Sequence, residues 1–214
     1  MIGSHETTGF LLVKNRHIVR HTGHITAADR AILLRQQPAT VWFTGLSGAG
    51  KSTLAFALEH RLVDLGRACY VLDGDNVRHG LNRDLGFSPE NRTENIRRIA
   101  EVAKLMNDAG LIVIAAFISP YREDREMARQ IIGEDRFIEI HVCTPLSVCE
   151  GRDTKGMYKQ AKAGKITAFT GVSAPYEAPL AATLTLDTST MEVAACVDQI
   201  IGVLLPRIGN RLEK

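Results

Sequence analysis

From residue 40 onward, short apolar runs of strand length alternate with segments whose apolar residues recur at helical spacing. The runs Val41–Thr44, Ala68–Leu72, Leu111–Ile118, Phe137–Cys143 and Ala182–Leu186 predict strands. Helices are predicted over about Ser52–Leu65, Glu94–Ala109, Arg122–Ile132 and Pro145–Arg152, with a last one over Met191–Leu205. In the second of these, Ile96, Ile99, Ala103 and Met106 fall on one face, the stripe needed by a helix lying on a sheet. Strands alternating with helices imply a parallel sheet covered on both faces. The expected fold is therefore α/β, a doubly wound parallel five-stranded sheet with helices on both faces, and no internal repeat interrupts it.

Two segments stand outside this rhythm. Asp153 to Pro179, DTKGMYKQAKAGKITAFTGVSAPYEAP, is basic, carries glycine and proline, and is too long for an ordinary connection. Its interleaved lysines and aromatics predict a mobile functional loop, a lid over about 153–179. Residues 1–38 hold four of the seven histidines, and ITAADRAILLRQQ reads as a short helix capped by Thr26. These histidines lack metal-ligand spacing, so residues 1–24 are read as a solvated N-terminal extension and 25–210 as the single domain.

Composition narrows the function little. A chain of 214 residues with 45% hydrophobic and 23% charged residues is ordinary for one soluble domain. The net charge of +2 gives no overall field that would favour nucleic acid or a membrane surface, so anion recognition has to be local. Cys69, Cys143, Cys149 and Cys196 have neither C-x-x-C nor zinc-finger spacing and read as buried thiols in a reducing compartment. No window approaches the ~18–20 continuous apolar residues of a membrane span, and the expected location is cytoplasmic.

The strongest chemical signal is GLSGAGKS, Gly45 to Ser52, which fits G-x-x-x-x-G-K-S between a predicted strand and a predicted helix. Its glycines let backbone N–H groups wrap close to phosphates, and the helix start adds the positive end of its dipole. Gly45, Leu46, Ser47, Gly48, Ala49, Gly50, Lys51, Ser52 and Thr53 are the expected ATP-binding run, with Lys51 reaching the β- and γ-phosphates and Ser52 on Mg²⁺. The loop alone serves ATPases, GTPases and small-molecule kinases alike. An N-K-x-D guanine signature is missing from the sequence, which weakens the GTPase reading. The run LIVIAAFIS ends in Ser119 rather than an acid, leaving Asp73 and Asp75 as the available metal-side carboxylates.

LDGDNVRHGL, Leu72 to Leu81, follows the second strand and should face the same cleft as the phosphate loop, because ligands of open α/β sheets bind at the carboxyl ends of the strands. An acid there can orient an acceptor hydroxyl and Arg78 can hold an anion. From charge pattern alone an ion-paired surface turn fits equally well.

The run DGDNVRHGLNRDLGFSPENRTENIRRIAEVAKL, with GLSGAGKST before it and FISPYREDR after it, resembles the adenylylsulfate kinases. The lid sequence and TLDTS extend the likeness over about Ile25 to Leu205. The resemblance implies a P-loop kinase fold and transfer of phosphate from MgATP to the 3′-hydroxyl of adenosine 5′-phosphosulfate (APS), giving PAPS. It implies that Arg78, Phe87, Arg92 and Asn95 hold the APS, with Phe87 stacking on its adenine and Phe169 closing over it from the lid. Phe87 as a core residue after a turn is the plainer alternative. By the same likeness Asp75 lies near the transferred phosphoryl, with Asp73 the weaker candidate for that place. Ile118 and Ser119 border the cleft, Arg152 stacks on the adenine of ATP, and Lys155 approaches the phosphates. Solvated surface charges remain the alternative for Arg152 and Lys155.

Ser119 matches a family position described as a phosphoserine intermediate, but no paired base accompanies it, so direct in-line transfer is favoured. The family also implies a homodimer and association with ATP sulfurylase. After YEAP this chain reads LAATL where a Pro-Glu-Leu run is usual, and FTGV stands for the commoner FTGI, which puts the lid's anchoring in question. A kinase for a nucleoside monophosphate or another phosphorylated alcohol and a non-catalytic nucleotide-binding subunit are the competing readings; the intact Lys51, Ser52, Asp75 and Ser119 speak against the second.

Overall fold

TVWFT, Thr40–Thr44, forms β1, and all of its side chains are buried because it is the middle strand of the sheet, with helices on both faces. The computed structural model describes residues 23–209 together with 19 and 21, so most of the expected extension 1–24, two of its four histidines among them, lies outside the described residues. Around β1 the chain adds α1 (Ala27–Leu34), α2 (Lys51–Asp64), β2 (Cys69–Asp73), α3 (Pro89–Asp108), β3 (Ile112–Ala116), α4 (Arg122–Ile132), β4 (Phe137–Val142), α5 (Leu146–Arg152), α6 (Met157–Lys162), β5 (Leu184–Leu186) and α7 (Val193–Ile208). The strands pair in parallel in the order β2-β3-β1-β4-β5, the doubly wound five-stranded sheet that the alternation predicts.

Strand periodicity divides the core in two. Val41 and Phe43 point to a face packed by Leu54, Leu58 and Leu62 of α2 and by Ile200 and Leu204 of α7. Trp42 points to the other, against Ile96, Ile99 and Ala103 of α3 and Ala128 of α4. Its ring packs between Phe117 and Phe137, at centroid distances of 5.8 and 5.7 Å.

Some boundaries differ from the predicted ones. α3 begins at Pro89 rather than Glu94, because Ser88 caps it by accepting from the Asn91 amide and Pro89 occupies the first turn, where a missing N–H costs nothing. β3 stops at Ala116, so Phe117 to Ser119 leave the sheet and run along the cleft. β5 is shorter than its apolar run, and α7 continues past Leu205 to Ile208 through Pro206. The segment 153–179, the expected lid, contains helix α6, held at its start by Asp153, whose carboxylate accepts the Tyr158 and Lys159 amides at 3.1 Å each. Thr26 caps α1 as expected, in a reciprocal arrangement with Asp29.

Candidate active site

The loops leaving the carboxyl ends of β1, β2, β3 and β5 enclose one cleft of about 1330 Å³. Ser47, Gly48, Gly50, Lys51, Ser52 and Thr53 line one end, Asp73, Asp75, Arg78, Phe87, Arg92 and Asn95 the other, and Ile118 and Ser119 the floor. Arg152, Lys155 and Phe169 close it from the lid side. Gly45, Leu46 and Ala49 do not line it and reach it only through the backbone of the loop they share.

The phosphate loop is built by glycine. Gly45 has φ 151°, and a Cβ there would sit 2.5 Å from the Val142 carbonyl oxygen, so no other residue fits. Lys51 is buried, its Nζ donating to the carbonyls of Gly45 at 2.9 Å and Leu46 at 2.7 Å. Burial lowers its pKa to about 8, with the negative charges of Asp73 and Asp75 pulling the other way. Its ammonium thus rests on carbonyl oxygens that phosphate oxygens can replace.

Asp73, ranked below Asp75 from sequence, is the acid that touches the loop. It ends β2, is buried, and its Oδ2 accepts from Ser52 Oγ at 2.7 Å. Its Oδ1 accepts the amides of Asp75 at 3.0 Å and Asn76 at 3.3 Å, which fixes the carboxylate plane. β3, the neighbour of β1, supplies no acid; the carboxylate comes from β2, one strand further out. Asp75 is mostly exposed and forms an ion pair with Lys155 of the lid. That contact joins the two rims of the cleft.

At the other end of the cleft the Arg78 guanidinium lies 4.4 Å from the Phe87 ring centroid and donates to the carbonyls of Leu85 and Gly86 at 2.9 and 3.1 Å. Phe87 is 58% exposed, a cost in apolar surface that a core residue would not carry. Arg92 donates to the Phe87 carbonyl at 3.0 Å, to Thr170 Oγ1 at 3.0 Å and to the Ala168 carbonyl at 2.7 Å, tying α3 to the lid. Asn95 is buried, its Oδ1 accepting from Asn82 Nδ2 at 3.0 Å, an arrangement that turns its own amide nitrogen away from Asn82. Phe169 is buried and packs edge-on against Tyr158, centroids 5.0 Å apart.

Ser119 is 2% exposed, with φ 37°, a left-handed conformation uncommon for a residue with a side chain. Its Oγ accepts from Trp42 Nε1 at 3.2 Å. Arg152 donates to Thr188 Oγ1 and to the Thr188 carbonyl, at 2.7 Å each, and Thr188 bonds in turn to the Ala49 carbonyl at 2.8 Å. Thr188, Tyr158, which donates to the Ser47 carbonyl at 2.9 Å, and Thr170 went unread in the sequence. The DTST turn after the last strand was the available signal for Thr188, since it too leaves a carboxyl end of the sheet. Among the described residues no cluster of histidine, cysteine and acidic side chains is arranged to hold a metal by itself.

A family model described as adenylylsulphate kinase matches residues 37–187. The adenylyl-sulfate kinase of Shewanella sp. (strain MR-7) is 59% identical over 188 residues, covering 88% of this chain and 92% of that protein. The Mycobacterium tuberculosis APS kinase CysC, solved in complex with AMPPNP and APS, is similar at 46% identity and a TM-score of 0.76, over 78% of this chain and 98% of that one. The hexameric APS kinase from Thiobacillus denitrificans is similar at 38% identity and a TM-score of 0.60, over 80% of this chain and 29% of its own.

Proposed function

The chain belongs to the adenylylsulphate kinase family, and from that premise we propose that it transfers the γ-phosphoryl group of ATP to the 3′-hydroxyl of APS, giving PAPS and ADP. The observation that carries this reading is the single cleft with a phosphate loop at one end and the Arg78, Phe87, Arg92, Asn95 group at the other. The reacting unit is about 25–210, with 153–179 as its lid.

ATP phosphates displace the Gly45 and Leu46 carbonyls from Lys51, whose ammonium then neutralises β- and γ-oxygens. Arg152, held flat by its two bonds to Thr188, presents its guanidinium plane to the adenine of ATP. Phe87 and Phe169 bracket the APS adenine, while Arg78 and Arg92 face its sulfate and phosphate oxygens, where a planar fork makes paired charge-assisted bonds. Asp75, freed from Lys155, accepts the hydrogen bond of the 3′-hydroxyl and aligns its oxygen for in-line attack; Lys155 turns to the transferred group. The 3′-oxygen bonds to the γ-phosphorus as the bond to the bridging β,γ-oxygen breaks, ADP leaving with that oxygen and the hydroxyl proton passing by way of Asp75 to solvent. Ser119 contributes by shaping the floor, since its hydroxyl is engaged by Trp42 and has no base beside it. The lid excludes water that would otherwise take the phosphoryl group.

The residues suit Mg²⁺. A buried carboxylate 2.7 Å from a hydroxyl is an all-oxygen donor set of the kind a hard cation takes, and Ser52 and Asp73 are the residues that would hold the ion. When bound, the ion supplies charge neutralisation across the β- and γ-phosphates.

The same proposal places the protein in the cytoplasm as a homodimer able to associate with ATP sulfurylase. Among the described residues no helix is long and apolar enough to cross a membrane. The hexamer named for the Thiobacillus relative favours self-association, and sedimentation reads the state. Purified protein supplied with MgATP and APS should release ADP and PAPS together; release of neither refutes the assignment.

A further inference from the structure

Arg125, on α4, is not among the residues lining the cleft, yet its guanidinium joins three parts of the site. Nε donates to Glu139 Oε1 at 2.8 Å, Nη1 to the Ser119 carbonyl at 2.7 Å and Nη2 to the Glu177 carbonyl at 2.7 Å. Both charged groups are buried, with side-chain exposures of 3% for Arg125 and 7% for Glu139. Glu139 lies on β4 and is also approached by Arg129 at 3.5 Å.

The two carbonyls belong to different segments of the chain. Ser119 turns the chain along the cleft floor in a left-handed conformation that something must hold, and its oxygen also accepts from Thr44 Oγ1 at 3.3 Å. Glu177 belongs to the stem by which the lid rejoins the body: its amide donates to the Pro120 carbonyl at 2.8 Å and its carboxylate accepts the Arg122 amide at 2.8 Å. Tyr176, next to it, shares a 3.0 Å hydrogen bond with Thr44. Floor and stem therefore meet at one guanidinium. A buried ion pair is weak evidence for stability, since well-packed apolar residues often serve as well, but a planar fork with donors in three directions fixes geometry that apolar packing leaves soft.

We propose that Arg125, set by Glu139, is a positioning residue for phosphoryl transfer: it locks the Ser119 turn to the lid stem, so that the lid closes in register with the acceptor pocket. It rests on the phosphotransfer reading above. The stem is held further along as well: the Ala178 carbonyl accepts from Arg122 Nε at 2.8 Å, and within LAATL the Thr183 amide donates to the Glu139 carbonyl at 2.9 Å.

The test compares Arg125→Lys, Glu139→Gln and Arg122→Ala in steady-state ADP release, with fluorescence of Trp42, the one tryptophan of the chain, read in parallel. Arg125→Lys keeps the charge and loses the fork. Its kcat should fall on the order of 10²-fold, the cost of misplacing reacting groups by about an ångström, while KM for ATP stays within about threefold. Trp42 emission should shift, because its acceptor on Ser119 moves. Glu139→Gln should show the same pattern more weakly. Arg122→Ala, which loosens the stem without touching Ser119, should stay within about threefold of wild-type kcat. Equal losses in Arg122→Ala and Arg125→Lys overturn the proposal, as does parallel loss of kcat and ATP affinity, or Arg125→Lys and Glu139→Gln at wild-type rates. Absence of PAPS from the wild-type protein would instead refute the phosphotransfer reading; Trp42 emission then decides, and an unshifted spectrum in folded Arg125→Lys overturns the coupling.

Discussion

Replacing Asp73 with Asn separates the two acids of the opening turn of the acceptor side. The carboxylate of Asp73 accepts from Ser52 at 2.7 Å and from two backbone amides, and an amide side chain keeps its shape and one acceptor oxygen, so the fold should survive with a small change in melting temperature. What is lost is the negative charge beside Ser52. A charge-assisted contact is worth about 1.5–3 kcal/mol, and at about 1.4 kcal/mol per decade the variant should need roughly 10- to 150-fold more Mg²⁺ for half-maximal rate. Asp75→Asn, by contrast, removes an exposed carboxylate whose pairing with Lys155 is screened by solvent, so its effect should fall on turnover of APS with the Mg²⁺ requirement little changed. The assay is coupled ADP release over a Mg²⁺ titration at saturating ATP and APS, with circular dichroism confirming the fold. A Mg²⁺ requirement for Asp73→Asn within about twofold of wild type, alongside a large shift for Asp75→Asn, would refute the assignment of the metal-side acid.

Two pH effects follow from the same geometry. Lys51 in the free protein has a pKa of about 8, so above that pH binding of AMPPNP must restore a proton to it: affinity should decline by up to about one decade per pH unit, and calorimetry at about pH 9 in two buffers should show proton uptake that Lys51→Ala abolishes. No uptake in the wild-type protein contradicts the buried resting place of the ammonium. His141, stacked on Tyr176 at 5.9 Å, has its pKa lowered by burial and then by the Arg125 charge. The unfolded chain protonates it near the usual value of about 6.5 and the folded chain only at lower pH, so between the two the unfolded state binds more protons and stability rises with pH. Its contribution is present above about pH 6.5 and is lost as pH falls through the folded value; urea denaturation should therefore show a shallower acid loss for His141→Gln than for wild type.

The sheet was legible because each strand is an apolar run between turn residues, and because βαβ alternation leaves few topologies open. The start of α3 was not, since its first turn, PENRT, carries no apolar residue and the periodic stripe begins only at Ile96; the Ser88 cap and Pro89 were the overlooked signals. Helix α6 is only MYKQAK, too short for periodicity to show. Within the site, the phosphate loop could be read from spacing alone, because its function resides in local backbone geometry. The preference for Asp73 over Asp75 could not, as it depends on how far β2 lies from the loop across β3. Arg125 and Glu139 are separated by the turn between α4 and β4, and only the fold reveals that they share a guanidinium bond with the lid stem.

The central claim is that one cleft brings the γ-phosphoryl of ATP to the 3′-hydroxyl of APS. Chromatographic separation of adenine nucleotides after incubation of the purified protein with MgATP and APS tests it most directly. The account predicts ADP and PAPS in equal amounts, both dependent on APS and both lost in Lys51→Ala. ADP formed without PAPS, at a rate indifferent to APS, would contradict it.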